Sequence, residues 1–396
     1  MTMTITITPQ TLSGTVTPPP SKSQAHRLLI AAALAGEGSV IHNLADSQDI
    51  RATRRCLTEL NTNSSALPKF DCGESGSTLR FLIPIALALR GGGVFTGHGR
   101  LMERPQQPYF DLFDEKGIRY GQKDGVLTVE GKLTPGEYRL PGNVSSQFIT
   151  GLLLALPLLD GPSVIIPTTR LESEGYIALT LDAMEAFGVT VPATRSLPPR
   201  YLISGGGGYR PAEVTVEADW SQAAFWYAAN RLGGRVEILG LNPHSRQGDM
   251  VVSAWARELS GDGDLELDVS GCPDLVPPLA AMAAVRQGTT RLINAGRLRI
   301  KESDRLASVT AALNAMGADI EEGPDFLTIR GRDSLAGGCT VDCCNDHRIA
   351  MMAAVAATRC REPVTLLGAE CVAKSYPDFW EHYRILGGVF HEHTGE

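Results

Sequence analysis

The residues best suited to chemistry gather where a short polar run opens onto an apolar stretch of small residues, a layout found six times in the chain. Lys22, Ser23 and Arg27 stand at the first such opening, Ser145, Ser146 and Gln147 at another, and Asp274 and Arg348 at two more. If each stretch is a helix, its first turn offers unpaired N–H groups and the positive end of the macrodipole, a ready site for an anion. Ser and Asp in such places read equally well as N-caps. Lys22 and Arg27 do not, because the dipole disfavours a cation there, so an anion that offsets the cost is expected. Arg348, beside Asp346 and His347, also fits a surface ion pair.

Lys301-Glu-Ser-Asp-Arg305 puts Lys301 and Arg305 four apart, hence on one helical face, with Glu302 and Asp304 complementing the dipole. The same run reads as a solvated, charged first turn. Arg104, in Met102-Glu-Arg-Pro105, and Lys374, in Ala373-Lys-Ser-Tyr376, lie on polar loops ahead of helical patterns. Cys339, Cys343, Cys344 and His347 are metal-ligating types. Val341 to Cys344 reads as a strand, however, whose neighbouring side chains face opposite ways, and the spacing fits no usual zinc pattern. No metal is expected.

Six repeats must position these groups. The openings begin at Ser21, Ser75, Ser145, Trp220, Cys272 and Asn345, and a second, amphipathic helix is expected 26 to 32 residues after each, near Ser47, Gln107, Gly175, Gln247, Glu302 and Pro377. Gly117-Ile118, Gly188-Val189 and Gly317-Ala318 carry C-cap chemistry, and Val126–Val129 and Phe326–Ile329 read as returning strands. The first three openings are 54 and 70 residues apart and the last three 52 and 73, so the second half repeats the first. Two similar α/β domains of three units each follow. Thr17-Pro-Pro-Pro20 and Gly205–Pro211 look like crossings between them. With Met1 to Thr17 supplying a strand to the second half, the expected domains are 18–217 and 1–17 plus 218–396.

At 396 residues, two domains are also the prior from length alone. Hydrophobic content of 43% and charged content of 20% describe a globular protein, and the longest apolar runs are too short to span a membrane. A net charge of −8 argues against nucleic acid as a partner but leaves room for a cationic cleft. Eight scattered cysteines suit a reducing compartment, and the alternating start reads as a strand and not a signal peptide. A cytoplasmic monomer is the expectation.

In this order, the segments resemble the 5-enolpyruvylshikimate-3-phosphate synthases. The resemblance rests on Ser21-Lys-Ser23 with Arg27, Cys72-Gly-Glu-Ser-Gly-Ser-Thr-Leu-Arg80, Glu103-Arg-Pro105, Ser145-Ser-Gln147, Tyr176 and Asp219. It continues through Pro273-Asp274, Lys301-Glu-Ser-Asp-Arg305, Asp346-His-Arg348 and Ala373-Lys374, spanning about residues 15–390. Each motif is weak alone; the ordered set is specific. It implies an α/β fold of two similar domains, each of three βαβαββ-type units, with the active site in the cleft between domains. It assigns shikimate 3-phosphate to Lys22, Ser23, Arg27, Ser145, Ser146, Gln147, Ser173, Asp274 and Lys301. Phosphoenolpyruvate falls to Lys22, Gly76, Arg104, Gln147, Arg305, Arg348 and Lys374. Asp274 is the candidate base, with Lys22 and Glu302 candidates for the acid and proton-return steps; which does which stays open. Neither metal nor organic cofactor is implied, because fixed cations stabilise the phosphate charge.

Three departures stand out: Glu74 where many members carry Asn, Arg297 where Asn is common, and Phe81 where Pro often follows the Arg. The resemblance implies that glyphosate competes for the phosphoenolpyruvate pocket, so a carboxylate at Glu74 bears on inhibitor sensitivity. The alternative is a UDP-N-acetylglucosamine enolpyruvyl transferase-like enzyme. That family usually carries a reactive Cys on a mobile loop, and residues 97–108 here contain none. A catalytically silent binding module or an RNA-end-processing relative is disfavoured by the intact Asp274, Lys301, Glu302 and Lys374 set and by the acidic net charge.

Overall fold

Each of the six polar openings leads into a helix, and each of those helices is followed by a second one. In the computed structural model, which describes residues 3–393, the first three pairs are α1 (Lys22–Ala35) and α2 (Gln48–Leu60), α3 (Gly76–Arg90) and α4 (Gln107–Lys116), and α5 (Ser146–Ala155) and α6 (Glu174–Ala186). The last three are α7 (Trp220–Arg231) and α8 (Val252–Glu258), α9 (Val276–Ala283) and α10 (Arg305–Ala315), and α11 (His347–Ala357) and α12 (Phe379–Ile385). Met1 and Thr2, at the head of the expected N-terminal strand, and 394–396, at the end of the second expected domain, lie outside the described residues.

Local chemistry accounts for the helix ends. Ser21, Ser47, Ser75, Ser145, Asp219, Asp304 and Asp346 each accept a backbone N–H of the first turn of α1, α2, α3, α5, α7, α10 and α11. Gly117, Gly188 and Gly317 adopt positive φ, and Ile118, Val189 and Ala318 then bond back to Phe113, Met184 and Leu313 carbonyls. That is the Schellman closure the glycines led one to expect.

The sheets repeat one plan. Strands Lys69–Asp71 and Gly92–Thr96 pair in parallel around α3, and the hairpin 119–123/126–130 adds two antiparallel strands. Leu265–Asp268 and Thr289–Ile293 do the same around α9, completed by Asp319–Glu322 and Leu327–Arg330. Around α11, Cys339–Asp342 and Val364–Leu367 are parallel, and the antiparallel places are taken by Thr4–Thr8 and Val389–His393. The N-terminal strand therefore completes the last repeat, and Ser13–Val16 pairs with Arg235–Ile238.

By its internal contacts the chain divides into a unit of Pro20–Val216 and a unit formed by the segment up to Pro19 together with Glu217 onward. Each has its own apolar core. In the second, α7, α9 and α11 pack on one another, their alanines letting the backbones approach, and every residue from Ile349 to Ala357 is buried. In the first, α3 packs on α5, and Pro84 inside α3 removes the N–H that would bond the Arg80 carbonyl. The Tyr109 hydroxyl donates to that carbonyl at 2.8 Å. Gly151 of α5 is required beside it, since a Cβ there would overlap the Tyr109 hydroxyl. A fully buried Leu or Phe contributes about 1.5–3 kcal/mol relative to exposure, so these apolar helices dominate stability.

Two local expectations change. Lys301 to Asp304 are not helical: α10 starts at Arg305, capped by Asp304, whose carboxylate accepts the Ala307 N–H and also pairs with Arg299 at 2.9 Å. Lys301 and Arg305 thus share no helical face. The Gly205–Gly208 run lies inside the Pro20–Val216 unit, where Gly206 N–H bonds the Leu159 carbonyl at 2.7 Å. Among the described residues, no helix is long and apolar enough to cross a membrane.

Candidate active site

In the Pro20–Val216 unit, helix starts carry the predicted groups. Lys22, in the first turn of α1, pairs with Asp49 of α2 at 2.8 Å, so a carboxylate of the protein offsets part of its dipole cost. Arg27 is 2% exposed, and its hydrogen bonds go to neutral oxygens: Thr180 Oγ1 at 2.8 Å, the Ser23 carbonyl at 2.6 Å and Thr150 Oγ1 at 3.5 Å. Burial draws its guanidinium down to about 10, against an upward pull from Tyr176. A cation so desolvated favours an anionic ligand.

Gly76 opens α3, and a Cβ on it would lie 2.7 Å from Arg104 Nη1, so only glycine leaves the guanidinium its seat. Gln147 of α5 is held at both ends of its amide, accepting from Arg80 Nη1 at 2.8 Å and donating to Ser77 Oγ at 3.1 Å. Ser145 caps α5 by accepting the Gln147 N–H, which leaves its own hydroxyl proton to donate, while Ser146 is the first helical residue and buried. Ser173 precedes α6 with φ 57° and ψ 46°, a left-handed conformation that costs a non-glycine residue roughly 1–2 kcal/mol.

In the other unit, one carboxylate organises three cations. Asp274 accepts from Arg305 Nη1 at 2.8 Å, Arg348 Nη2 at 3.1 Å and Lys301 Nζ at 3.4 Å. Arg305 is 1% exposed and forks further, to Asp346 at 2.8 Å and Glu302 at 2.7 Å. Burial works to lower its pKa but is outweighed by Asp346, Glu302 and Asp274, which raise it well above the arginine norm. Lys301 goes the other way: burial draws it down to about 8 despite the nearby Asp274. Lys374, expected on a loop, ends a short 3-10 helix (Ala369–Lys374) and donates to the Asn345 carbonyl at 2.6 Å, tying that turn to the start of α11. Arg348 is 4% exposed, so the surface ion pair is ruled out. Asp249, buried and bonded to the Ser221 hydroxyl, is raised to about 6 by burial and by the charge of Asp274.

The family described as EPSP synthase (3-phosphoshikimate 1-carboxyvinyltransferase) matches residues 7–383. The chain belongs to the EPSP synthase family. A relative from Clostridium kluyveri named 3-phosphoshikimate 1-carboxyvinyltransferase is 44% identical over 421 aligned residues, covering 98% of each chain. One of the same name from Clostridioides difficile is 42% identical, again over 98% of each. Among solved structures, an EPSP synthase from Acinetobacter baumannii has a TM-score of 0.79 at 23% identity, over 99% of this chain and 100% of that one. The enolpyruvyl transferase NikO from Streptomyces tendae scores 0.78 at 17% identity, over 100% and 99%. Those structural likenesses speak for the fold, and the α/β architecture of repeated units is that of the EPSP synthases.

Within each unit, the residues singled out from sequence come together through partners far from them along the chain. Asp49 for Lys22, Arg80 for Gln147, Thr180 for Arg27 and Asp346 for Arg305 lie 27, 67, 153 and 41 residues away. Only Asp346 carried a local signal, as the cap of α11.

Proposed function

We propose that the chain transfers the enolpyruvyl (carboxyvinyl) group of phosphoenolpyruvate to the 5-hydroxyl of shikimate 3-phosphate, releasing phosphate, within aromatic amino acid biosynthesis. Full-length kinship with the 3-phosphoshikimate 1-carboxyvinyltransferases carries this reading. Protonation of the phosphoenolpyruvate methylene carbon leaves a cationic carbon that the hydroxyl attacks as it gives up its proton; phosphate then departs from the tetrahedral adduct while the new methyl group loses a proton, which restores the C=CH2 of the enolpyruvyl ether. Arg27, a buried cation bonded to neutral oxygens, suits the acceptor's phosphate, with Lys22, Ser23, Ser145, Ser146, Gln147, Ser173 and Lys301 completing that set. Arg104, Arg305, Arg348, Lys374 and Lys22, with Gly76 and Gln147, suit the carboxylate and phosphate of phosphoenolpyruvate. Asp274 is assigned as base, and Lys22 and Glu302 share the remaining proton transfers. We read the chain as a cytoplasmic monomer, a reading supported for the compartment by eight free thiols.

Phosphate release measured with phosphoenolpyruvate and each acceptor tests the assignment. Release with shikimate 3-phosphate and none with UDP-N-acetylglucosamine is expected; the reverse would overturn it.

Gly76→Ala is expected to push the Arg104 guanidinium aside and raise KM for phosphoenolpyruvate about tenfold, the equivalent of one charge-assisted hydrogen bond. kcat should change much less. An unchanged KM would remove Arg104 from the phosphoenolpyruvate set.

Lys301 sets a pH limit. Its charge is present below about pH 8 and lost above, so KM for shikimate 3-phosphate should climb through that value. Lys301→Arg, which stays charged, should flatten the climb. Stability runs the opposite way. Because the unfolded lysine holds its proton to about pH 10.4, the cost of burying the charge fades between pH 8 and that value. An acceptor KM constant from pH 7 to 9.5 would refute the assignment.

A further inference from the structure

His26 lies between Lys22 and Arg27 in sequence, wholly buried, and nothing in the proposed chemistry uses it. Its Nδ1 is 2.7 Å from Thr53 Oγ1, Thr53 Oγ1 is 2.6 Å from Thr78 Oγ1, and the Thr78 hydroxyl donates to Ser75 Oγ at 2.7 Å. Each threonine has a single hydroxyl proton. Since Thr78 gives its proton to Ser75, Thr53 must give its own to Thr78, and the first bond in the chain must come from His26 Nδ1–H. The tautomer is thereby determined: Nδ1 is protonated and Nε2 is a bare acceptor. Nε2 is buried and, among the described residues, has no hydrogen-bond partner, and the ring stands edge-on to Phe81. Burial first, then the charges of Lys22 and Arg27, lower its pKa well below the usual histidine value, so the ring stays neutral and the relay keeps its direction.

The placement has a mechanical consequence. Lys22 with Asp49 and His26 with Thr53 are two rungs between α1 and α2, one helical turn apart on each. The lower rung alone extends to α3, where Ser75 caps the turn that begins at Gly76, the glycine against which Arg104 rests. We infer that His26 is a positioning residue: through Thr53 and Thr78 it holds the first turn of α3, and with it the Gly76–Arg104 seat, in register with Lys22. The inference rests on the proposed roles of Gly76, Arg104 and Lys22 in phosphoenolpyruvate binding.

Two measurements test it. Long-range proton–nitrogen correlation spectra of the histidine-labelled protein, with His26 assigned by its loss in His26→Asn, should show Nδ1 protonated and Nε2 bare at pH 7 and still at pH 5.5. An Nε2-protonated ring, or an imidazolium at pH 7, would overturn the relay. In kinetics, Thr78→Val should raise KM for phosphoenolpyruvate about tenfold, the equivalent of one buried hydrogen bond, with KM for shikimate 3-phosphate and kcat within about twofold. Thr78→Ser should restore it, and Thr53→Val gives a second break should Thr78→Val fail to fold. A uniform loss across both substrates and kcat, or unchanged constants, would reduce the relay to core packing. The two readings fail separately. Absence of phosphoenolpyruvate turnover in the unmutated chain refutes the function, whereas normal turnover there with an unaffected Thr78→Val refutes the relay.

Discussion

Asp274→Asn is expected to cut turnover by about 10²–10⁴-fold, the usual range of a general acid–base group, while shikimate 3-phosphate still binds. The substitution keeps size and one acceptor oxygen but removes the charge. It therefore takes away both the proposed base and the anion that Arg305, Arg348 and Lys301 share. The new amide NH2 must point at one of those cations, so a modest loss of phosphoenolpyruvate affinity should accompany the loss of turnover. Steady-state kinetics with calorimetric titration of shikimate 3-phosphate separates the two effects. If the variant keeps more than about a third of turnover, another group removes the hydroxyl proton.

The largest effect on stability is expected from Arg305. Both it and Asp346 are essentially inaccessible, at 1% and 0% exposure, and they pair at 2.8 Å. Arg305→Ala would leave Asp346 charged, buried and short of its main counter-ion, which costs about 3–5 kcal/mol. For a unit of this size the midpoint of thermal unfolding should fall by about 10 °C. Asp346 also caps α11 and accepts the Ser303 hydroxyl, so the damage should reach the turn that presents Arg348. Combining Arg305→Met with Asp346→Asn should recover part of the stability, because the stranded charge is gone, but not activity. Thermal and urea unfolding check this. A single Arg305→Ala variant as stable as the parent would mean that Asp346 finds other compensation.

Much of this molecule could be read locally. Helix starts were legible because a cap is a contact over two or three residues, as Ser75 with Thr78 and Asp346 with Arg348 illustrate. Helix ends were legible where glycine takes positive φ, and the hairpins 119–130 and 319–330 where two short alternating runs meet at a turn. Local reading failed at Lys301–Arg305, whose four-residue spacing imitates a helical turn. Asp304 is a better cap than Glu302 is a helical residue, so the helix starts three residues later than expected.

What the sequence determined by itself, then, is the repeat, the helix openings, the polar groups stationed at them and the membership of a family, because each is written in short-range pattern or ordered motif. Tertiary structure alone decided the company those groups keep. Lys22 meets Asp49, His26 meets Thr53 and Arg305 meets Asp346 across 27 to 41 residues, and the first strand closes the last repeat by pairing with residues more than 350 positions away. Such pairings depend on how helices pack and strands register. Those are set by burial summed over a whole unit, and no window of sequence a few residues long contains that sum.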